Sequence, residues 1–297
     1  MARMTSRMRR DVPYALLFLA PSLTGLLLFM VIPVVASLGL AFTDWNLLSP
    51  PTFVGLQNFQ EMAQDRVLWI SLRNSLYYAA MLIPGSMAAA LILALALNRE
   101  FRGVTLFRLA FLIPGVASLV ANAMVWRWLY NDQFGLINAV LRAIGLPSVA
   151  WLSEERTVLP AIVIMNIWSG MGFDAIIYLA ALRNIPRHLY EAAQLDGANT
   201  WQRFWKITFP LLTPVHFYNL IISLIGSFQV FDVIFIMTQG GPGFSSRVYA
   251  YHLFLEAFRR FNMGYAAAMA WFLFVIIFTI TVIQWRVIGR RVEYDYV

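Results

Sequence analysis

Residues 185–210 read IPRHLYEAAQLDGANTWQRFWKITFP, the longest polar, turn-punctuated stretch between two strongly apolar blocks. Proline is tolerated in a first helical turn, so Pro186 is placed to open a short helix. Gly197 is placed to close it, because a residue without a Cβ adopts the left-handed conformation that other side chains avoid. Thr200 then caps a second short helix, and Pro210 ends that helix before the next apolar run. The reading is a helix–glycine–helix elbow, a shape suited to docking.

The flanks of the elbow decide the class. Of 297 residues, 60% are hydrophobic and only 12% charged, far from the soluble average. A soluble chain of that composition has no means of covering its surface. Six segments reach the roughly 20 apolar residues that cross about 30 Å of hydrocarbon: 14–42, 72–97, 104–129, 158–182, 213–237 and 264–288. The expectation is an all-α membrane protein of six transmembrane helices in a lipid bilayer. Pro21, Pro33, Pro84 and Pro114 should kink the first three, neighbouring helices satisfying the freed carbonyls. Residues 1–13 form a basic tail, 43–71 a loop with Trp45, Phe53 and Phe59 at headgroup level, 72–288 the core and 289–297 a second tail. The basic start followed by an apolar run imitates a signal peptide. The run extends to Phe42, too long for a cleaved segment, so it reads as a retained signal-anchor.

A net charge of +7 in a soluble domain would suggest nucleic acid. Here the basic residues cluster at the ends of apolar runs, and no nucleic-acid partner is expected. Arg3, Arg7, Arg9 and Arg10, then Arg99, Arg102 and Arg108, then Arg183, Arg187, Arg203 and Lys206, then Arg286, Arg290 and Arg291 fall on one side of a six-span chain. The opposite loops carry mixed charge: Asp44, Glu61, Asp65 and Arg66, then Asp132, Arg142, Glu154, Glu155 and Arg156. Only Arg247, Arg259 and Arg260 run against the pattern. Both termini and the elbow are therefore expected in the cytoplasm.

Most chemistry is excluded. Cysteine is absent, which removes disulfides and thiolate chemistry. The one lysine, Lys206, follows Trp205, so no phosphate-binding loop exists for ATP hydrolysis. His188, His216 and His252 lack metal-ligand spacing, and Ser245-Ser246 follows Phe244 without forming a nucleophile elbow. No catalytic residue, metal or cofactor is expected.

Polar groups inside spans are costly and usually have a purpose. At about 100° per residue, Asn166, Ser169, Gly170 and Phe173 share one face of the fourth span, with Asp174 at its margin. Ser223, Gly226, Ser227 and Val230 share a face of the fifth, with Gln229 and Asp232 elsewhere on the helix. One reading is a polar strip lining a passage that hydrogen-bonds sugar hydroxyls. The other is helix packing through small residues, which suits Gly170 and Gly226 taken alone. Asp174 and Asp232 also permit a different class, a self-contained ion- or proton-coupled carrier, although no inverted repeat is visible. In the elbow, Ala192 and Ala193 allow close approach of another surface and Glu191 offers a carboxylate. An interfacial amphipathic helix would use Leu189, Tyr190 and Leu195 instead.

The run Glu191-Ala192-Ala193, then Gly197, then Ile207, Phe209 and Pro210 resembles the EAA loop of permease subunits of binding-protein-dependent ABC importers. Phe209 stands where that pattern usually has leucine. FTDWN (42–46), FVGLQNF (53–59), FGLIN (134–138), FQVFDVIFIMTQGGP (228–242) and GYAAA (264–268) resemble its carbohydrate-uptake branch, the maltose and glycerol-3-phosphate permeases. The resemblance implies the type I importer permease fold in a bacterial-type inner membrane. It also implies a second, related permease, two cytoplasmic ATPase subunits and an extracytoplasmic solute-binding protein. By the same likeness Glu191, Ala192, Ala193, Asp196 and Gly197 would couple to an ATPase cleft. Sugar contacts would fall on spans four and five, among Asn166, Ser169, Gly170, Asp174, Ser223, Ser227, Val230 and Asp232.

Overall fold

The computed structural model describes residues 6–99 and 101–289. The expected basic residues Arg3, Arg290 and Arg291 lie outside them. Helix α1 (Ser6–Leu26) continues through a π-helical turn, Leu27–Val31, into α2 (Ile32–Leu40). Strands β1 (Thr43–Asp44) and β2 (Thr52–Phe53) pair antiparallel, and α3 (Gln57–Gln64) follows. Next come α4 (Arg66–Leu97), α5 (Val104–Val116), α6 (Leu119–Leu129), α7 (Leu136–Ala143) and α8 (Val158–Asn184). The elbow holds α9 (Arg187–Leu195), α10 (Thr200–Arg203) and α11 (Phe209–Leu211). The chain continues as α12 (Thr213–Phe228), α13 (Asp232–Met237), α14 (Tyr249–Phe254) and α15 (Met263–Val287).

Among the described residues, four helices are long and apolar enough to cross a membrane: Leu16–Leu40, Arg66–Leu97, Val158–Asn184 and Met263–Val287. Two bent pairs, Val104–Val116 with Leu119–Leu129 (96°) and Thr200–Leu211 with Thr213–Phe228 (63°), make six when each counts as one span. Helix α4 starts inside the stretch read as loop. Asp65 caps it by accepting from the backbone N–H groups of Val67 (2.8 Å) and Leu68 (3.1 Å).

The expected proline kinks took other forms. Helices α4 and α5 run through Pro84 and Pro114. The third span turns only beyond Val116, where the extended backbone of Ala117 (ψ 154°) ends α5. That turn removes the N–H that would serve the Pro114 carbonyl, and Asn122 Nδ2 donates to the carbonyl instead, at 2.7 Å. Pro33 and Pro210 each follow a π-helical stretch, Leu27–Val31 and Phe204–Thr208. A proline ring clashes with the carbonyl four residues back. The wider turn falls where that carbonyl lies, at Phe29 and Lys206. The elbow's second helix therefore does not stop at Pro210 but passes through it to Leu211.

Two compact units emerge: residues up to Gln64 with Phe254–Leu273, and Asp65–Leu253 with the rest. In the first, three motifs singled out in the sequence meet. Asn58 Nδ2 donates to the carbonyls of Ala41 and Thr43 (2.9 Å each), and Met263 N–H donates to the Trp45 carbonyl at 2.8 Å. Gly264 abuts the Thr43 carbonyl so closely that a Cβ would collide with it. These residues build a small polar frame. In the second unit α4 and α8 pack along one another, α12 lies on α4 and α5 on α8. Gly172 lets α8 approach the Phe111 carbonyl of α5, where a Cβ would collide.

Candidate functional site

The elbow is built as its glycine implies. Gly197 has φ +79°, and the Ala198 N–H reaches the Ala193 carbonyl (2.9 Å) while Gly197 N–H reaches Gln194 (3.1 Å). That pair of bonds is a Schellman ending, which satisfies carbonyls orphaned at a helix C-terminus. The cap of the second helix is Asn199, not Thr200. The Asn199 side chain accepts from Gln202 N–H and the Gln202 side chain accepts from Asn199 N–H, both at 2.9 Å. Asparagine one residue earlier outcompetes threonine because Gln202 stands at the third helical position to complete the reciprocal box.

The elbow has two faces. Leu189, Tyr190, Phe204, Ile207 and Leu211 pack on a core that includes Leu97, Leu179, Leu182 and Leu212. Tyr190 and Thr208 hydroxyls hydrogen-bond at 2.9 Å. On the other face Glu191, Ala192, Asp196 and Gly197 are exposed and Ala193 is half-buried. Leu195 is 91% and Trp201 68% exposed. Two large apolar side chains left in solvent beside the small residues make a surface that another body would cover. In the sequence Leu195 stood out only through the alternative of an interfacial amphipathic helix, and no motif there singled out Trp201.

Seven of the eight strip residues meet in one place. Asn166, Gly170, Asp174, Ser223, Ser227, Val230 and Asp232 line a cavity of about 340 Å³ with Tyr78 and Ser86 of α4 and with Gln229 and Phe231. Ser169 is directed elsewhere. Its hydroxyl accepts from Asn122 Nδ2 at 3.1 Å, on the α5–α6 side of α8. Phe173 likewise packs toward Gly115. Residues 166, 170 and 174 span only about 80° of the helix, while 169 and 173 lie to the far side of 166. The cavity face is therefore rotated, and Asp174 belongs to it rather than to its margin. Asn166 Nδ2 donates to the Ile162 carbonyl (3.1 Å), leaving its Oδ1 to accept, and the Ser227 hydroxyl donates to the Leu224 carbonyl (2.8 Å), keeping its acceptor lone pairs.

The fifth span is broken, which is why Gln229 reaches the cavity. Helix α12 ends at Phe228, and α13 restarts at Asp232. No glycine or proline announces the break. At the break Phe231 stacks with Phe235 one turn on (5.5 Å between centroids) and with the more distant Tyr251 (6.1 Å). Continuous helical rotation had put Gln229 and Asp232 away from the strip; the irregular residues 229–231 turn them toward it.

A line of contacts runs from cavity to elbow. Tyr178, one turn beyond Asp174 on α8, hydrogen-bonds His216 Nδ1 at 2.7 Å, and His216 lies 4.6 Å from the Phe209 ring of the elbow. Nothing among the described residues gathers three or more histidine or acidic side chains as a metal site would need.

Residues 86–294 match the family model described as binding-protein-dependent transport system inner membrane component. The probable ABC transporter permease protein YesP of Bacillus subtilis is 37% identical over 292 residues, covering 97% of this chain and 94% of its own. The trehalose/maltose transport system permease protein MalF of Thermococcus litoralis is 32% identical, covering 97% of each chain. A chain in the crystal structure of a bacterial alginate ABC transporter, in complex with alginate pentasaccharide-bound periplasmic protein, superposes with a TM-score of 0.81 at 25% identity. That match covers 95% of this chain and 96% of the other. The relatives lend no support to a self-contained ion- or proton-coupled carrier. With its exposed elbow, its polar cavity and these matches along nearly its whole length, the chain belongs to the inner-membrane permease components of binding-protein-dependent ABC transporters, a membrane subunit rather than a catalytic one.

Proposed function

We propose that this permease subunit imports a sugar or sugar-like solute, and that the cavity between α4, α8 and α12 is its mid-membrane binding site. The observation that carries the reading is the convergence of Asn166, Asp174, Ser223, Ser227, Gln229 and Asp232 on one cavity inside otherwise apolar spans. Its volume of about 340 Å³ falls in the range of small-molecule sites, and its mixture of carboxylate, amide and hydroxyl groups suits a polyol. The trehalose/maltose and alginate systems among the similar proteins support the same class.

In this reading the passage forms with a second permease. The Leu16–Leu40 helix, none of whose most apolar window is buried within this chain, contributes its surface to that partner or to lipid. A solute-binding protein delivers sugar from outside; the similar alginate transporter forms a complex with a sugar-bound periplasmic protein of its own. Both termini and the elbow face the cytoplasm, where the basic residues gather. Two ATPase subunits supply the energy, and Glu191, Ala192, Ala193, Asp196 and Gly197 dock in a cleft on one of them. The exposed Leu195 and Trp201 enlarge that docking face. ATPase closure then moves α8 and α12 through the elbow core and the Phe209–His216–Tyr178 contacts.

The test is uptake of radiolabelled maltose, maltotriose, trehalose and sorbitol by cells expressing the complete transporter. ATP-dependent accumulation of at least one, abolished by Glu191→Ala with membrane insertion intact, is the expected result. No uptake of any of the four would overturn the sugar reading, and full uptake by Glu191→Ala would overturn the coupling role.

A further inference from the structure

A second polar cavity, of about 370 Å³, lies at the far end of α13 from the first. Arg127, Tyr130, Asn131 and Asp132 form one wall, Ser153 another, and Thr238 with the Gly241-Pro242 turn a third. It does not share a lining residue with the cavity between α4, α8 and α12.

Its charged groups are incompletely used. Asp132 Oδ2 accepts from the Ser153 hydroxyl at 2.6 Å, while Oδ1 is buried with no hydrogen-bond partner. Arg127 Nη1 donates to the Ile236 carbonyl at 3.3 Å, which occupies one of the five donors of a guanidinium. No ion pair joins Arg127 to Asp132 among the described residues. An arginine and an aspartate that line one cavity without neutralising each other are arranged for a ligand that both donates and accepts. Adjacent sugar hydroxyls do both. Leaving a buried carboxylate oxygen unsatisfied is unfavourable, and a hydroxyl donor removes that penalty.

The walls are held in place. Tyr130 hydroxyl donates to the Ala161 carbonyl (2.9 Å), and its ring packs between Trp126 (5.1 Å) and Trp151 (5.3 Å). Burial keeps the Tyr130 phenol above its ordinary value, so it remains a donor. Asn138, wholly buried, donates to the Asp132 and Val149 carbonyls and accepts from Val149 N–H and Trp151 Nε1. The Ser246 hydroxyl donates to the Gly241 carbonyl (2.6 Å) and lies 2.8 Å from the Thr238 hydroxyl, fixing the turn of the TQGGP run. A framework this well bonded pre-organises the groups it presents.

We propose that this cavity is an entry station for the transported sugar, in which Asp132 accepts from and Arg127 donates to neighbouring hydroxyls before the sugar passes along α13 to the inner cavity. The six residues of α13 separate the stations by about 9 Å of helical rise. The proposal rests on the sugar-permease reading, and its test separates the two.

The chain has no cysteine, so one introduced thiol reports on one place. In the complete transporter, with cysteine removed from its partners, Leu152→Cys puts a thiol on the cavity wall and Ser148→Cys puts one on an exposed turn outside it. Both are labelled by a membrane-impermeant methanethiosulfonate, with and without whichever of maltose, maltotriose, trehalose and sorbitol is taken up. Sugar at ten times its Kd should slow labelling of Leu152→Cys about tenfold, since occupancy divides the reactive fraction, and should leave Ser148→Cys unchanged. Adding Asp132→Asn, or Arg127→Gln where that variant fails to insert, should raise the half-protecting concentration about tenfold, the loss of one charge-assisted bond. Unprotected Leu152→Cys in a transporter that takes up the sugar overturns the entry station and leaves the permease reading standing. Absence of uptake for all four sugars overturns both.

Discussion

Replacing Gly197 by asparagine, alanine and valine perturbs the elbow through backbone conformation alone. At φ +79° a side chain with a Cβ is strained by about 1–2 kcal/mol, and asparagine by less because it visits this region more readily. A Cβ built on Gly197 meets nothing within 4 Å, so no steric clash confuses the series. An elbow that must keep its shape to engage a partner then loses about 5- to 30-fold in docking for alanine and valine. Valine falls at the lower end of function because its branched Cβ tolerates a positive φ least. The assay is sugar uptake, paired with the fraction of ATPase subunit that co-purifies with the permease. The expected order is glycine, asparagine, alanine, valine in both readouts, with equal amounts of permease in the membrane. Valine and asparagine variants of equal activity would refute the claim that the left-handed turn sets the docking geometry.

The cavity and its neighbours give further contrasts. Asp174→Asn and Asn166→Leu should cut uptake at least tenfold at unchanged thermal stability, whereas Ser169→Ala, whose hydroxyl meets Asn122 rather than the cavity, should retain uptake. Equal losses from Ser169→Ala and Asn166→Leu would return the whole strip to helix packing. Asn138→Ala leaves the Asp132 and Val149 carbonyls, the Val149 N–H and the Trp151 indole without their partner, and should destabilise by about 2–4 kcal/mol. An unchanged thermal midpoint in detergent would contradict that. Gly172→Ala forces a methyl into the Phe111 carbonyl and should cost about 1–3 kcal/mol by overpacking, read as a lowered midpoint against a Gly170→Ala control whose Cβ has open space.

The features readable in the sequence were those set by local chemistry. Gly197 specified a left-handed turn because few other residues tolerate one, and the apolar runs specified the spans because length and hydropathy suffice. The small polar residues of span four were legible as a strip, but its rotation toward Asp174 was not. Which side of α8 faces α5 depends on Gly172 meeting the Phe111 carbonyl, a contact between residues far apart in the chain. The break at residues 229–231 was hidden for a similar reason, since the stacking of Phe231 on Tyr251 joins residues twenty apart in the chain. Asn199 was overlooked as a cap although its partner Gln202 stands at the spacing of a capping box, a local signal that was available. The π turns before Pro33 and Pro210 absorb strain that a simple proline rule converts into a kink or a stop. The FTDWN, FVGLQNF and GYAAA runs prove to build a bonded frame, through Asn58 and Gly264.

This chain is expected to move sugar only when an ATPase drives its elbow. Proteoliposomes holding the complete transporter, its solute-binding protein and the carried radiolabelled sugar decide it. Assembly with the ATPase subunits should give accumulation that requires ATP hydrolysis and is lost with Gly197→Val. The permease pair without them should give none under a proton or sodium gradient. Gradient-driven uptake by the permease chains alone would overturn the dependence on an ATPase.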